Sequence, residues 1–377
     1  MKILFLTRAT LYSVFGGDTV QIVSTAKYLR KLGVQVDIHL GNKTIDYSEY
    51  DLLHVFNIIR PADILPHLLK SGKPYVLSTI FVDFTDYEHF HRNGLAGLIT
   101  KKLSTDKLEY LKAWARWVKN GQPIHSSRYI LQGHRNTVKQ IAENAALILP
   151  NSSNEYKRFS DFYGITPPYR VIYNGIDPEI FDIAQPATKR QETLVICAAR
   201  IEGNKNQLNL IKALNNTSFQ LKIIGNPAPN HYRYYNECRA AAADNISFEG
   251  FVPQEKLISY YREAKVHVLP SWNETCGLSS LEAAYVGCNI VVTDRGDTTE
   301  YYEQDAYYCE PDNATSIFNA IERAAAAPVN DNLPQRILHK YNWLQAAQDT
   351  LTVYQQILHK QAFTTEGINY HTQMSRP

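Results

Sequence analysis

Two glutamates, Glu274 and Glu282, stand eight positions apart in ETCGLSSLEAAYVGCNIVVTD, with Gly277 between them. The small-residue run after Gly277 reads as a helix, and the free amides of its first turn attract an anion. Glu282 then lies about one turn in. Its side chain leans back towards the N-terminus, within reach of the same ligand's hydroxyl groups. Glu274 falls on the loop before the helix. One carboxylate is thus placed for a nucleotide ribose and one for a transferred group. The plainer alternative makes Glu274 a capping or exposed loop residue and Glu282 a solvated helix residue.

A second chemical element is AARIEGNKN, where Arg200 and Lys205 follow a strand five residues apart. A planar guanidinium fork and an ammonium point charge together suit a diphosphate, although solvated loop charges are the simpler reading of this segment alone. FGGDT offers a third: Gly16 and Gly17 make a phosphate-sized turn ahead of a helix, or only a tight turn. It is not the GxGxxG fingerprint, and no GxxxxGK[ST] loop occurs, so NAD binding and ATP hydrolysis lose support. No D-x-D triplet is present, which argues against a divalent-metal clamp on a diphosphate.

These residues need a scaffold of strand ends. KILFLT, VQVDIHL, DLLHVFN, KPYVLSTI, AALILP and YRVIYN read as strands, with helices such as TVQIVSTAKYLRKLG and ILPHLLKS between them. The rhythm restarts at ETLVICAAR and continues through FQLKIIG, NISFEGFV, KVHVLPS and NIVVTD. Alternation of this kind means parallel, doubly wound sheets. A junction falls in NGIDPEIFDIAQPATKRQ, where Gly, Pro and charge interrupt the pattern.

The chain has 377 residues, 44% of them hydrophobic and 20% charged, enough for two ordinary globular domains. No stretch has the ~18 apolar residues of a membrane span, and the N-terminal apolar run is too short for a signal peptide, pointing to a cytoplasmic protein. Cys197, Cys238, Cys276, Cys288 and Cys309 are odd in number and lack CxxC spacing, which favours free thiols. The net charge of +2 hides an asymmetry: residues 1–175 carry 22 Lys and Arg against 14 Asp and Glu, leaving 17 against 23 for the rest. The basic half suits anionic membranes or phosphorylated acceptors; nucleic acid fits less well, because no recognition motif appears.

Taken in order, FGGDT, VIYNGID, AARIEGNKN, GFVPQEKLISYYREAKVHVLPS and PSWNETCGLSSLEAAYVG resemble family 4 of the glycosyltransferases, retaining enzymes of GT-B fold. The resemblance covers most of the chain. It implies two Rossmann-like α/β domains facing an interdomain cleft: an acceptor-side domain over 1–177, a nucleotide-sugar-binding domain over 178–350, and a tail over 351–377 packing back on the first. It implies a metal-independent transferase without cofactor, taking a sugar from a UDP- or GDP-linked donor to a glycan or lipid-linked acceptor, in cell-surface polysaccharide or glycoconjugate synthesis. By resemblance Arg200 and Lys205 contact the diphosphate, Glu282 the ribose and Glu274 the transferred sugar. Gly16, Gly17, Asn174, Gly225, Phe251, Val252, Gly277 and Leu278 complete the donor set, with Phe251 and Val252 beside the base. The chain departs from the family at IFVDF, where many members carry a histidine and Asp83 is the candidate replacement on the acceptor side. Cys276, Asn289 and Asp297 replace the usual Phe, Pro and Gly.

For the acceptor, residues 101–119 carry six Lys and Arg, two acidic residues, Trp114 and Trp117. They form either an amphipathic helix with tryptophans in the core or one lying on anionic lipid. Two rival functions share the fold: a non-hydrolysing nucleotide-sugar epimerase, and a non-catalytic binding subunit.

Overall fold

The computed structural model describes residues 1–40, 45–82, 110–111, 126–181 and 190–359. Asp83 and all of 101–119 except 110 and 111 lie outside them. The chain forms two compact units, Met1–Tyr173 with Trp343–Pro377, and Asn174–Asn342. Both are parallel α/β sheets of the Rossmann-like class expected from the sequence.

In the first unit, β1 (Lys2–Thr7), β2 (Gln35–Leu40), β3 (Leu52–Phe56), β4 (Tyr75–Ser78) and β5 (Leu147–Ile148) make one sheet in the order β2-β1-β3-β4-β5, every pair parallel. Among the described residues its longer helices are α1 (Gly17–Lys31), α2 (Pro61–Ser71), α3 (Ser127–Glu143), α4 (Ser153–Tyr163) and the returning α12 (Trp343–Leu358). Strands such as LLHVF are buried throughout, as expected for a sheet covered on both faces. One core joins Leu4, Val55 and Leu77 to Ile64, Val138, Ile141 and Phe159. Helix α12 packs against α1 and is tied to the sheet by the His54 Nδ1 to Tyr354 hydroxyl bond of 2.5 Å. Burial drives the His54 pKa well below its ordinary value, so the imidazole is neutral.

YRVIYN is not a strand as expected. It pairs with β5 through an isolated bridge at Ile148–Tyr169, continued by Ile172 N donating to Pro150 O at 2.9 Å, and Pro150 and Pro168 lack the N–H groups a regular ladder would use. The unit boundaries also differ from those read in the sequence: the first unit ends at Tyr173 rather than 177, and re-entry begins at Trp343 rather than 351. Ile176 pairs with Asn342, and a Cβ at Gly175 would stand 2.4 Å from the Asn342 backbone, which ties 174–177 to the second unit.

The second unit contains β6 (Gln191–Ala198), β7 (Gln220–Ile224), β8 (Ile246–Gly250), β9 (Ala264–Leu269), β10 (Asn289–Val292) and β11 (Ala306–Tyr308), in the order β11-β10-β9-β6-β7-β8. Its helices are α5 (Gln207–Leu214), α6 (Tyr232–Ala241), α7 (Gln254–Glu263), α8 (Leu278–Tyr285), α9 (Thr298–Tyr302), α10 (Ala314–Ala326) and α11 (Asn332–Lys340). The sheet is parallel, so all strands end at one edge. From β6 the chain winds outward through β7 and β8, then returns to β9 and winds the other way. The reversal between β6 and β9 is the switch point where open α/β sheets gather ligands. All five cysteines are free and buried. Among the described residues no helix is long and apolar enough to cross a membrane.

Candidate functional site

The loops after β6 and β9 flank that switch point and are laced together by asparagine side chains and a backbone bond. Asn206 adopts φ 61°, and its amide donates to the carbonyls of Pro270 at 3.0 Å and Pro311 at 2.6 Å. Asn204 accepts from the Trp272 amide at 2.9 Å and donates to Asn273 O at 3.1 Å. The single helical turn Gly203–Lys205 is therefore fixed against the loop of Glu274, and the Lys205 ammonium forms an ion pair with the Glu274 carboxylate. Ser271, itself fully buried, donates to the same Glu274 oxygen at 3.1 Å, while the Thr275 amide donates to the other at 3.2 Å.

The Glu274 backbone is held as firmly as its side chain. Its amide donates to Arg295 O at 3.2 Å and its carbonyl accepts from Asp297 N at 2.9 Å. Gly296, between them, has φ 98°, and a Cβ there would stand 1.9 Å from the Glu274 carbonyl oxygen. Only glycine permits this approach. Three residues after Glu274, Gly277 takes φ 63° and opens α8. Tyr302 anchors the turn by donating to Cys276 O at 2.7 Å. The first α8 amides, at Leu278 and Ser279, precede the intrahelical donors and point out of the helix end.

Glu282 is 7% exposed, on the first turns of α8. Gln254 Nε2 donates to its Oε1 at 2.5 Å and the Tyr261 hydroxyl to its Oε2 at 3.5 Å. Burial raises its pKa to about 7, with both hydrogen bonds opposing the shift. Gln254 begins α7, three residues after Phe251, so the loop after β8 reaches Glu282 directly. Phe251 is 69% exposed and Val252 half-buried, leaving an aromatic face open beside that loop. At the end of β7, Gly225 lies so close to β6 that a Cβ would meet Ala199 O at 2.0 Å. Asn174 is buried, its backbone N–H donating to the Tyr301 hydroxyl at 3.0 Å.

Arg200 follows β6 with its side chain 41% exposed and reaches Glu202 at 3.3 Å, apart from the Lys205–Glu274 pair. In the first unit Gly16 caps α1 and Gly17 starts it, again after the strand beside a switch point, here between β1 and β3. Among the described residues no group of three or more His, Cys, Asp or Glu is placed to hold a metal ion. Sequence reasoning missed Ser271, Gln254, Tyr261 and Gly296. The serine was visible in PSWNE, but the contacts of Gln254 and Tyr261 with Glu282 bridge 28 and 21 positions and leave no local signal.

This fold and these strand-end loops define a recognisable class. Residues 179–338, within the second unit, match the family described as glycosyl transferases group 1. The chain is 24% identical to an uncharacterized glycosyltransferase of Methanocaldococcus jannaschii over 94% of this chain and 98% of that one. It is 25% identical to a D-inositol 3-phosphate glycosyltransferase of Corynebacterium glutamicum, covering 74% and 76% of the two. In fold it resembles sucrose-phosphate synthase from Thermosynechococcus elongatus, with TM-score 0.71 and 16% identity over 96% of this chain and 100% of that one. An Anabaena protein, HepE, solved with UDP and glucose, gives TM-score 0.66 and 16% identity over 94% and 99%.

Proposed function

We propose that this protein is a glycosyltransferase of the retaining, family 4 type, moving a hexosyl group from a nucleotide diphosphate donor to a glycan or lipid-linked acceptor. The observation that carries the reading is the Lys205–Glu274 ion pair at the sheet's switch point, beside the open end of α8. In this reading Lys205, Arg200 and the amides of Leu278 and Ser279 neutralise the diphosphate as it leaves, which asks no metal for that task. Glu274, held by Ser271 and Thr275, faces the sugar as positive charge develops there. The acceptor enters from the leaving-group side and configuration is retained. Glu282 takes the ribose, and the exposed Phe251 ring offers its face to the base. The relatives support the donor class: one fold neighbour was solved with UDP and glucose.

The acceptor reading extends to residues 101–119, a basic segment proposed to rest on anionic lipid while the enzyme works on a polysaccharide or glycoconjugate precursor. The decisive test is to incubate the protein with UDP- and GDP-linked sugars and follow nucleotide release and product anomer by NMR. Release of free nucleotide with the donor's anomeric configuration kept in the product supports the reading. A new nucleotide sugar formed without acceptor would show an epimerase instead, and inverted product would exclude retention.

A further inference from the structure

Glu282 combines demands that conflict. A carboxylate that accepts two hydroxyl groups must be ionised, yet this one is 7% exposed and burial lifts its pKa to about 7. Its neighbours supply little counter-charge. From α7 come Gln254 and Tyr261, both neutral donors. Behind Tyr261 lie the Cys197 and Cys288 thiols, each raised to about 12 by burial, and His267 on β9, lowered to about 3 and so uncharged. The nearby Arg190 guanidinium is taken up by the carbonyls of Tyr261, Ala264 and Val286. Each carboxylate oxygen thus receives one neutral donor and keeps a lone pair free, two acceptor sites on one rigid group.

We propose that Gln254 and Tyr261 are positioning residues that hold Glu282 in the orientation and ionised state a ligand's vicinal diol requires, so that protonation of Glu282 switches off recognition of the ribose hydroxyls. The inference rests on the nucleotide-donor reading and adds a regulation to it. Protonation converts one oxygen from acceptor to donor and releases the other from charge-assisted bonding, which weakens the diol contact. Gln254 opposes protonation from a half-buried position at the start of α7, where a substitution leaves the core intact.

The test measures binding of UDP, GDP and ADP by calorimetry at pH 6 and pH 8, then compares the tightest with its 2′,3′-dideoxy form. The dideoxy ligand shares the phosphate titration, so the ratio of the two affinities isolates the diol. In the wild type this ratio should rise about tenfold from pH 6 to pH 8 as Glu282 ionises. Gln254→Leu should lower the ratio roughly tenfold at pH 8 with dideoxy binding unchanged, Gln254→Glu should lower it further, and Tyr261→Phe should lower it less. A ratio independent of pH, or equal in wild type and Gln254→Leu, overturns the inference while leaving the nucleotide site standing. Failure of the wild type to bind any of the three diphosphates overturns the nucleotide reading and the inference with it.

Discussion

The first loops of the two units occupy the same topological place, after the strand that flanks the switch point, and use arginine in opposite ways. In the first unit Arg8 is 13% exposed at its side chain and bonds inward: to Asp18 at 2.7 and 3.0 Å, to Thr10 O at 2.7 Å and to Val14 O at 2.6 Å. It shapes the loop that ends at Gly16. In the second unit Arg200 is 41% exposed, its partner Glu202 is 3.3 Å away, and the loop is shaped by asparagine and backbone bonds. A cation satisfied by its own loop is scaffold; one 41% exposed with a single carboxylate at 3.3 Å is available to a ligand. The comparison separates residues whose loss should unfold a unit from residues whose loss should silence it.

The largest effect belongs to glycine. Gly296→Ala adds a methyl where the Glu274 carbonyl stands at 1.9 Å and φ is positive, so the second unit should lose about 3 kcal/mol or more, read as a lowered midpoint in urea unfolding. Next comes Glu282→Gln, with the opposite sign. A carboxyl whose folded pKa is raised from 4.5 to about 7 contributes stability that is full below pH 4.5 and lost as pH rises through 7. The amide variant should match wild type near pH 4 and exceed it at pH 8 by on the order of 3 kcal/mol, while binding nucleotide more weakly. Equal stability at both pH values would show that Glu282 is ionised in the folded protein without penalty.

Arg8→Met tests the other side of the comparison. Stranding a largely buried Asp18 should cost about 2 kcal/mol in the first unit and leave nucleotide affinity of the second unchanged; loss of binding at full stability would reverse the assignment. The smallest effect is expected of Ser271→Ala, about 1 kcal/mol in stability, with a larger relative loss of turnover because Glu274 would lose one of its fixing bonds. Turnover at the wild-type level would remove Ser271 from the machinery.

Much of this was legible in the sequence for physical reasons. Buried parallel strands write themselves as continuous apolar runs, so KILFLT, DLLHVFN and KVHVLPS were recognisable. The place of Glu282 was readable because helix geometry fixes what lies one turn into α8, whereas the pairing of Glu274 with Lys205 bridges 69 positions. Other features depend on contacts that sequence distance hides. YRVIYN has strand composition, but Pro168 just before it and Pro150 beside its partner strand decide otherwise. Gln254 meets Glu282 only after one strand and two helices have been packed. Arg8 carries no signal in the sequence, since its six short-range bonds depend on the path the loop takes.

The central claim is that Glu274, paired with Lys205 at the switch point of the second unit, supports sugar transfer rather than the fold. It is tested most directly by following acceptor-independent hydrolysis of the nucleotide sugar that the wild type turns over, in wild type and Glu274→Gln, with nucleotide affinity measured on the same preparations. Loss of turnover by about a hundredfold with affinity within a few-fold of wild type is the predicted result. Unchanged turnover in a folded, nucleotide-binding Glu274→Gln protein would contradict it.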